Sequence, residues 1–180
     1  MNQVNNNILP AIRNIKDLEK LIKTDYKMCV LLDMHIGHIK SIMELLKQNH
    51  IECFIHIDLI KGLSHDEFAS EFIIDSQALK RSIDLIKKAK SLNTLTIFRV
   101  FIIQQYKPKG IVSTKSKVIK KVEPDFVEVL PGVASKAIHH IQKETNTQVI
   151  AGGLINTIDE VNEAVKNGAK YVTTSYDKLW

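Results

Sequence analysis

The chain reads as a small TIM-like (β/α)8 barrel, and three observations predict it. Short, β-branched apolar runs recur along its 180 residues. Nearly every run is followed by a segment with helical periodicity. The runs are apolar on both faces, as strands of a parallel sheet covered by helices must be. Eight such runs match the eight βα units of that barrel. A doubly wound open sheet is the competing architecture, but its Gly-rich dinucleotide turn is missing after the first strand. The length suits one sizeable core, so residues 1–180 are expected to form a single domain.

Taken in order, ILPAI (8–12) is a strand and NIKDLEKLIK (14–23) a helix. KMCVLLDMH (27–35) is a buried strand, and IKSIMELLKQN (39–49) an amphipathic helix. IECFIHIDL (51–59) is again a strand, and Ser64 caps a helix that can run to about residue 91. Near the end, DFVEVLPG (125–132), QVIAGGL (148–154) and AKYVTTS (169–175) are strands. ASKAIHHIQKET (134–145) and TIDEVNEAVKNG (157–168) are the helices between them, the second closed by Gly168.

The middle breaks the pattern. FRVFII (98–103) and GIVST (110–114) both read as strands, separated by only QQYKPK. A parallel crossover needs at least about 10–12 residues, so that linker cannot make one. Read this way, region 75–121 interrupts the βα alternation. The sequence offers one repair. Blocks 75–86 and 104–119 each sit between Ile-Ile and Lys-Lys. Exchanging them leaves every junction locally unchanged and restores the alternation, so the blocks read as transposed.

Composition narrows the function classes. The chain is 44% hydrophobic and 25% charged, an ordinary soluble balance. No apolar run approaches the ~20 residues of a membrane span, and the start lacks a signal-peptide layout. A cytoplasmic protein with no membrane partner is expected. Cys29 and Cys53 lack the neighbours of a zinc or redox motif and read as buried free thiols. A net charge of +5 permits an anionic partner without requiring one.

Polar residues at the C-terminal ends of barrel strands converge on one mouth. Here these are Arg13, Asp33, His35, Asp58, Lys61, Arg99 and Glu128, with Gly152, Gly153, Thr174 and Ser175 from the last two units. The final four form the strongest candidate site. Barrels bind phosphate at that position, glycine lets the backbone approach, and hydroxyls add donors. A simple tight turn is the competing reading. Arg13 and Arg99 suit a phosphate or carboxylate, or else pair with Asp33, Asp58 or Glu128 inside the barrel. The three acids also fit an enzyme site. His56 reads as a packed strand histidine. No metal or cofactor is expected, and no residue is assigned a catalytic role. Lys107, Lys109, Lys115 and Lys117 belong to a basic run that can follow RNA phosphates or can be a solvated loop.

ILPAIRN, LLDMHIGHIK, HIDLIKGLSHDEF, PDFVEVLPG, AGGLIN and VTTS together resemble the glycerol uptake operon antiterminator regulatory proteins. The similarity covers nearly the whole chain outside 75–121. The order of the two blocks differs from that family in the same way as the exchange above. The resemblance implies a TIM-like protein that catalyses no reaction, responds to glycerol 3-phosphate and binds the leader mRNA of glycerol genes to permit transcription past a terminator. Two other functions compete with this regulator. One is a barrel enzyme acting on a small phosphorylated substrate. The other is a rearranged chain that no longer works.

Overall fold

The computed structural model describes residues 5–32, 35–56, 83–84, 86–87, 89–91, 94–102 and 111–180, with the side chains of 36 and 111–116 excepted. Seven parallel strands close into a barrel in sequence order. They are β1 (Ile8–Ile12), β2 (Met28–Leu31), β3 (Glu52–His56), β4 (Leu95–Phe101), β5 (Phe126–Leu130), β6 (Gln148–Gly152) and β7 (Tyr171–Thr174). β7 returns to β1 through the pairs Ile8–Val172 and Leu9–Thr173, which leaves no open edge. The fold class is therefore the expected TIM-like α/β barrel, with seven strands among the described residues rather than eight.

The helices are α1 (Ile15–Ile22), α2 (Ile36–Gln48), α3 (Ile111–Val122), α4 (Lys136–Thr145) and α5 (Ile158–Lys166). Local chemistry fixes their ends. Asn14 caps α1 by accepting from the backbone N–H groups of Lys16 and Asp17. Thr157 and Glu160 form a capping box on α5. Gly168, at φ 103°, turns the chain from α5 toward β7 in a conformation that favours glycine.

α3 replaces the strand expected at GIVST. Its inward positions, Val118, Ile119 and Val122, recur at helical spacing. Val118 and Val122 pack with Ile83, Ile86 and Phe98, and the described residues among 83–91 are themselves helical. β4 is thus followed by a helix and then by β5, paired in parallel to β4. Among the described residues of 95–130, strand, helix and strand follow one another. In the order as written the sequence predicts that the two runs pair as an antiparallel hairpin or that one of them leaves the sheet; residues 111–114 leave it for α3, and the barrel closes with seven strands among the described residues. Residues 57–82 and 103–110, including the Ser64 cap, lie outside the described residues.

Strand alternation separates two cores. One apolar cluster contains Leu9, Ala11, Val30, Phe54, Ile97, Phe126 and Ile150, all from strands, and fills the lumen. The rings of Phe54, Phe126 and Tyr171 meet at 5.3–5.8 Å between centroids and form its floor. The other cluster combines outward strand residues such as Val127 and Val149 with helix residues such as Leu18, Leu46 and Ile138. Cys29 and Cys53 belong to it. They sit side by side in register on β2 and β3 as buried free thiols. Burial, reinforced by the neighbouring Cys29, pushes the Cys53 thiol well up from its usual range.

Candidate functional site

The lumen changes character toward the C-terminal ends of the strands. Below are Phe54, Ile97, Phe126 and Ile150. The next inward positions are His56 on β3, Arg99 on β4, Glu128 on β5, Gly152 on β6 and Thr173 on β7. Register aligns Arg99 with Glu128 and Gly152 with Thr173. Five adjacent strands thereby replace an apolar layer with a polar one.

Glu128 is the centre of that layer. Its side chain is 2% exposed, and that of His56 is 3%. The Nε2 atom of His56 lies 2.9 Å from Oε2 of Glu128, and the Thr173 hydroxyl donates to Oε1. Burial pushes the carboxyl up. The His56 charge, the Thr173 hydrogen bond and the Arg99 charge push it down and prevail, so Glu128 sits below the usual carboxylate value. A buried carboxylate is therefore held ionised. Both ring nitrogens of His56 and Oε2 of Glu128 are buried without an aligned hydrogen bond among the described residues, so the two side chains meet as a close ion-pair contact.

Above this layer is a cavity of about 210 Å³. That is smaller than the ~300–1,000 Å³ of drug-sized sites and suits a small metabolite. His56, Arg99, Glu128 and Thr173 line its deep end, and Gly153, Asn156, Ser175 and Tyr176 belong to the loops at its rim. Leu154 also lines it. This residue is 68% exposed and left-handed at φ 59°, a conformation disfavoured for a bulky side chain.

The expected site residues separate into groups. Gly153, Thr174, Ser175, Arg99 and Glu128 do line one cavity. Thr174 points out of the lumen. Its hydroxyl donates to the Ile155 carbonyl at 3.0 Å and accepts from the Tyr176 N–H at 3.0 Å, which holds the two rim loops together. Gly152 is buried behind the cavity, and its carbonyl accepts from the Gly132 N–H. A Cβ there would lie 2.7 Å from Glu128 Cδ and closer still to the Glu128 and Thr173 oxygens. Glycine at 152 therefore makes room for the carboxylate.

Arg13 is exposed and pairs with Asp17 in the first turn of α1 at 3.3 Å, so it neither enters the barrel nor lines the cavity. His35 is exposed and caps α2, its Nδ1 accepting from the Gly37 N–H at 3.1 Å. Lys117 is exposed on α3. Asp33, Asp58, Lys61, Lys107 and Lys109 lie outside the described residues, as does the side chain of Lys115. His56, Thr173, Asn156 and Tyr176 join the site without having been expected there. For Thr173 the missed signal is parity, since it alternates with the lumen residue Tyr171.

A closed parallel barrel with a small cavity at its C-terminal mouth, bordered by the loops of its last two strands, is a TIM-like barrel with its candidate site at the end where such barrels carry theirs. Comparison with known proteins narrows this class. The chain belongs to the glycerol-3-phosphate responsive antiterminator family, whose model matches residues 8–180. It is 30% identical to a glycerol uptake operon antiterminator regulatory protein from Listeria monocytogenes, covering 100% of this chain and 97% of that one, with a TM-score of 0.74. A glycerol uptake operon antiterminator-related protein from Thermotoga maritima shares the fold at 23% identity, 96% coverage of both chains and a TM-score of 0.63. The protein YgcP of Escherichia coli is 24% identical over 179 residues, 97% of this chain and 92% of that one. Among the described residues no helix is long and apolar enough to cross a membrane.

Proposed function

We propose that this protein is a regulator that takes glycerol 3-phosphate into the barrel mouth and, when loaded, binds the leader mRNA of glycerol genes to let transcription pass a terminator. The observation that carries the reading is the small cavity bordered by Gly153 and Ser175 at the ends of β6 and β7. Gly153 has φ 74°, which favours glycine and leaves no side chain between backbone and ligand. Arg99 at the deep end supplies positive charge. The family assignment supplies the effector and the kind of output.

Two measurements test it. In calorimetric titration, glycerol 3-phosphate should bind the wild type. Ser175→Ala should weaken it about tenfold, as loss of one hydrogen bond to a charged group does. Gly153→Val should weaken it further, because its Cβ would stand 3.0 Å from Leu130 Cδ2. In a mobility-shift assay, leader RNA should bind more tightly with the ligand present, and the ligand more tightly with RNA, by the same factor. Absence of binding in the folded wild type would refute the reading. The buried His56–Glu128 pair favours a second reading, a phosphate-binding barrel enzyme that uses the pair for proton transfer. Turnover of a small phosphorylated substrate that is lost in Glu128→Gln would establish that alternative.

A further inference from the structure

Charge is distributed unevenly around the outside of the barrel. α3 carries four lysines and no acidic residue, whereas α5 carries Asp159, Glu160 and Glu163 against Lys166. Lys117, Lys120 and Lys121 are exposed and recur at i, i+3 and i+4, so they share one stripe, opposite the buried Ile119 and Val122. The helical residues among 83–91 pack beside α3 through Ile83, Ile86, Val118 and Val122, and they expose Lys87 and Lys90. Lys90 Nζ donates to the Glu123 carbonyl, just past the C-terminal end of α3, at 3.5 Å. The lysines of the two elements therefore meet on one face.

A lysine in the last turn of a helix complements the helix dipole, which accounts for Lys120 and Lys121 but not for Lys87 or Lys117. Lysine at 117 and 121 places like charges one turn apart, an arrangement that costs stability unless an anion lies over it. Among the described residues none of Lys87, Lys117, Lys120 and Lys121 meets a carboxylate, whereas Lys20 pairs with Asp177. The acids beside the stripe are Asp84 and Glu123. Neither segment exposes a large apolar side chain among the described residues, as a membrane-binding face would. Lysine is also depleted in protein interfaces. Neither segment contains an aromatic residue, so bases have no ring to stack on. What the face offers is a set of ammonium groups, point charges that hold phosphates and carry no base preference.

We infer that this outer face, formed by Lys87, Lys90, Lys117, Lys120 and Lys121, holds the phosphodiester backbone of single-stranded RNA by charge, without reading its bases. The inference rests on the reading that the protein binds RNA. The face shares no residue with the cavity at the barrel mouth, so it supplies affinity for RNA independently of the ligand site.

Fluorescence anisotropy on the full chain tests it, with oligouridine, oligocytidine and the leader mRNA of a glycerol gene as probes across a salt series. Each phosphate contact to a single strand contributes about 0.7 to the slope of log K against log salt. Combining Lys117→Gln, Lys120→Gln and Lys121→Gln should therefore make that slope shallower by about 2, and should weaken binding about a hundredfold at roughly 0.1 M salt. The loss should be the same for both homopolymers. Combining Lys16→Gln, Lys23→Gln and Lys47→Gln removes equal charge from exposed positions on and after α1 and on α2, and should change the slope by less than half as much. Circular dichroism melts verify that both variants fold. An unchanged slope in the folded α3 variant overturns the inference. So does an equal loss in the other variant, which would assign the effect to net charge, or a loss that differs between the homopolymers, which would mean that bases are read. Binding of leader mRNA by a wild type that ignores both homopolymers overturns the inference and spares the RNA reading. Failure of the wild type to bind any of the three probes overturns both.

Discussion

Replacing Gly152 by alanine tests the central geometry of the barrel mouth with a single methyl group. The added carbon would lie 2.7 Å from Glu128 Cδ and nearer to the carboxylate and Thr173 oxygens, inside van der Waals contact. Gly152 is fixed by its strand pairing to β7, so the side chains must move. Moving Glu128 breaks its contacts with Thr173 and His56 in a buried place. Overpacking alone costs about 1–3 kcal/mol, and breaking a buried charge pair about 3–5. A loss of about 2–4 kcal/mol is expected, because the pair is disturbed and not removed. Urea unfolding midpoints, taken with their slopes, measure it. The decisive comparison is the same substitution in Glu128→Ala, where the methyl group finds space. There the cost should fall below about 1 kcal/mol, which leaves a coupling within the usual range for residues in contact. Equal costs in both backgrounds would refute the claim that Gly152 is small because Glu128 needs the room.

Two further outcomes follow from the same structure. Glu128 is held below its usual value of 4.5, so between its folded and unfolded values the unfolded chain binds the extra proton. Its contribution to stability is complete above the ordinary carboxylate range and is lost as pH falls through the folded value; melts from pH 7 to pH 3 should show this acid limb flattened in Glu128→Gln. On α3, Ile119 and Val122 are buried while Lys121 is exposed, so Ile119→Ala should cost about 2–5 kcal/mol, Val122→Ala should also destabilise, and Lys121→Ala should stay within about 0.5 kcal/mol. A strand would place 119 and 121 on one face and 122 on the other, so equal losses at 119 and 121 in denaturant melts would count against the helix.

Much of the barrel could be read from the residues because its strands are buried on both faces and its helices are amphipathic, which are the two patterns that survive without tertiary context. The helix ranges read as starting at Asn14 and Thr157 begin on the residues that cap α1 and α5, since capping is local chemistry. GIVST failed because a five-residue β-branched run is consistent with either element. The deciding residues lie beyond it. Val118, Ile119 and Val122 continue the apolar positions at helical spacing, and their value depends on Phe98 and Ile86, which only the folded chain brings close. The exchange of blocks rests in part on the same run. Once residues 111–122 are helical, β4 and β5 need no long crossover strand between them, and the order as written closes the barrel.

The site was legible in type and not in geometry. Arg99 and Glu128 could be placed at strand ends from their runs alone, but which partner each takes depends on register and parity. His56 on β3 meets Glu128 on β5 across β4, a contact that no local pattern encodes. The same parity separates two residues that the sequence presents as equivalent. Thr173 points into the lumen and fixes the carboxylate, while Thr174 points away and holds the rim. It also separates the adjacent glycines: Gly152 clears space below the cavity, and Gly153 forms its edge. A ligand site read from AGG and TTS as one cradle is therefore two structures. One is the rim of the cavity, formed by the loops after β6 and β7. The other is a buried acid–imidazole pair beneath it, with Glu128 Oε1 accepting from the Thr173 hydroxyl and Oε2 lying 2.9 Å from His56 Nε2.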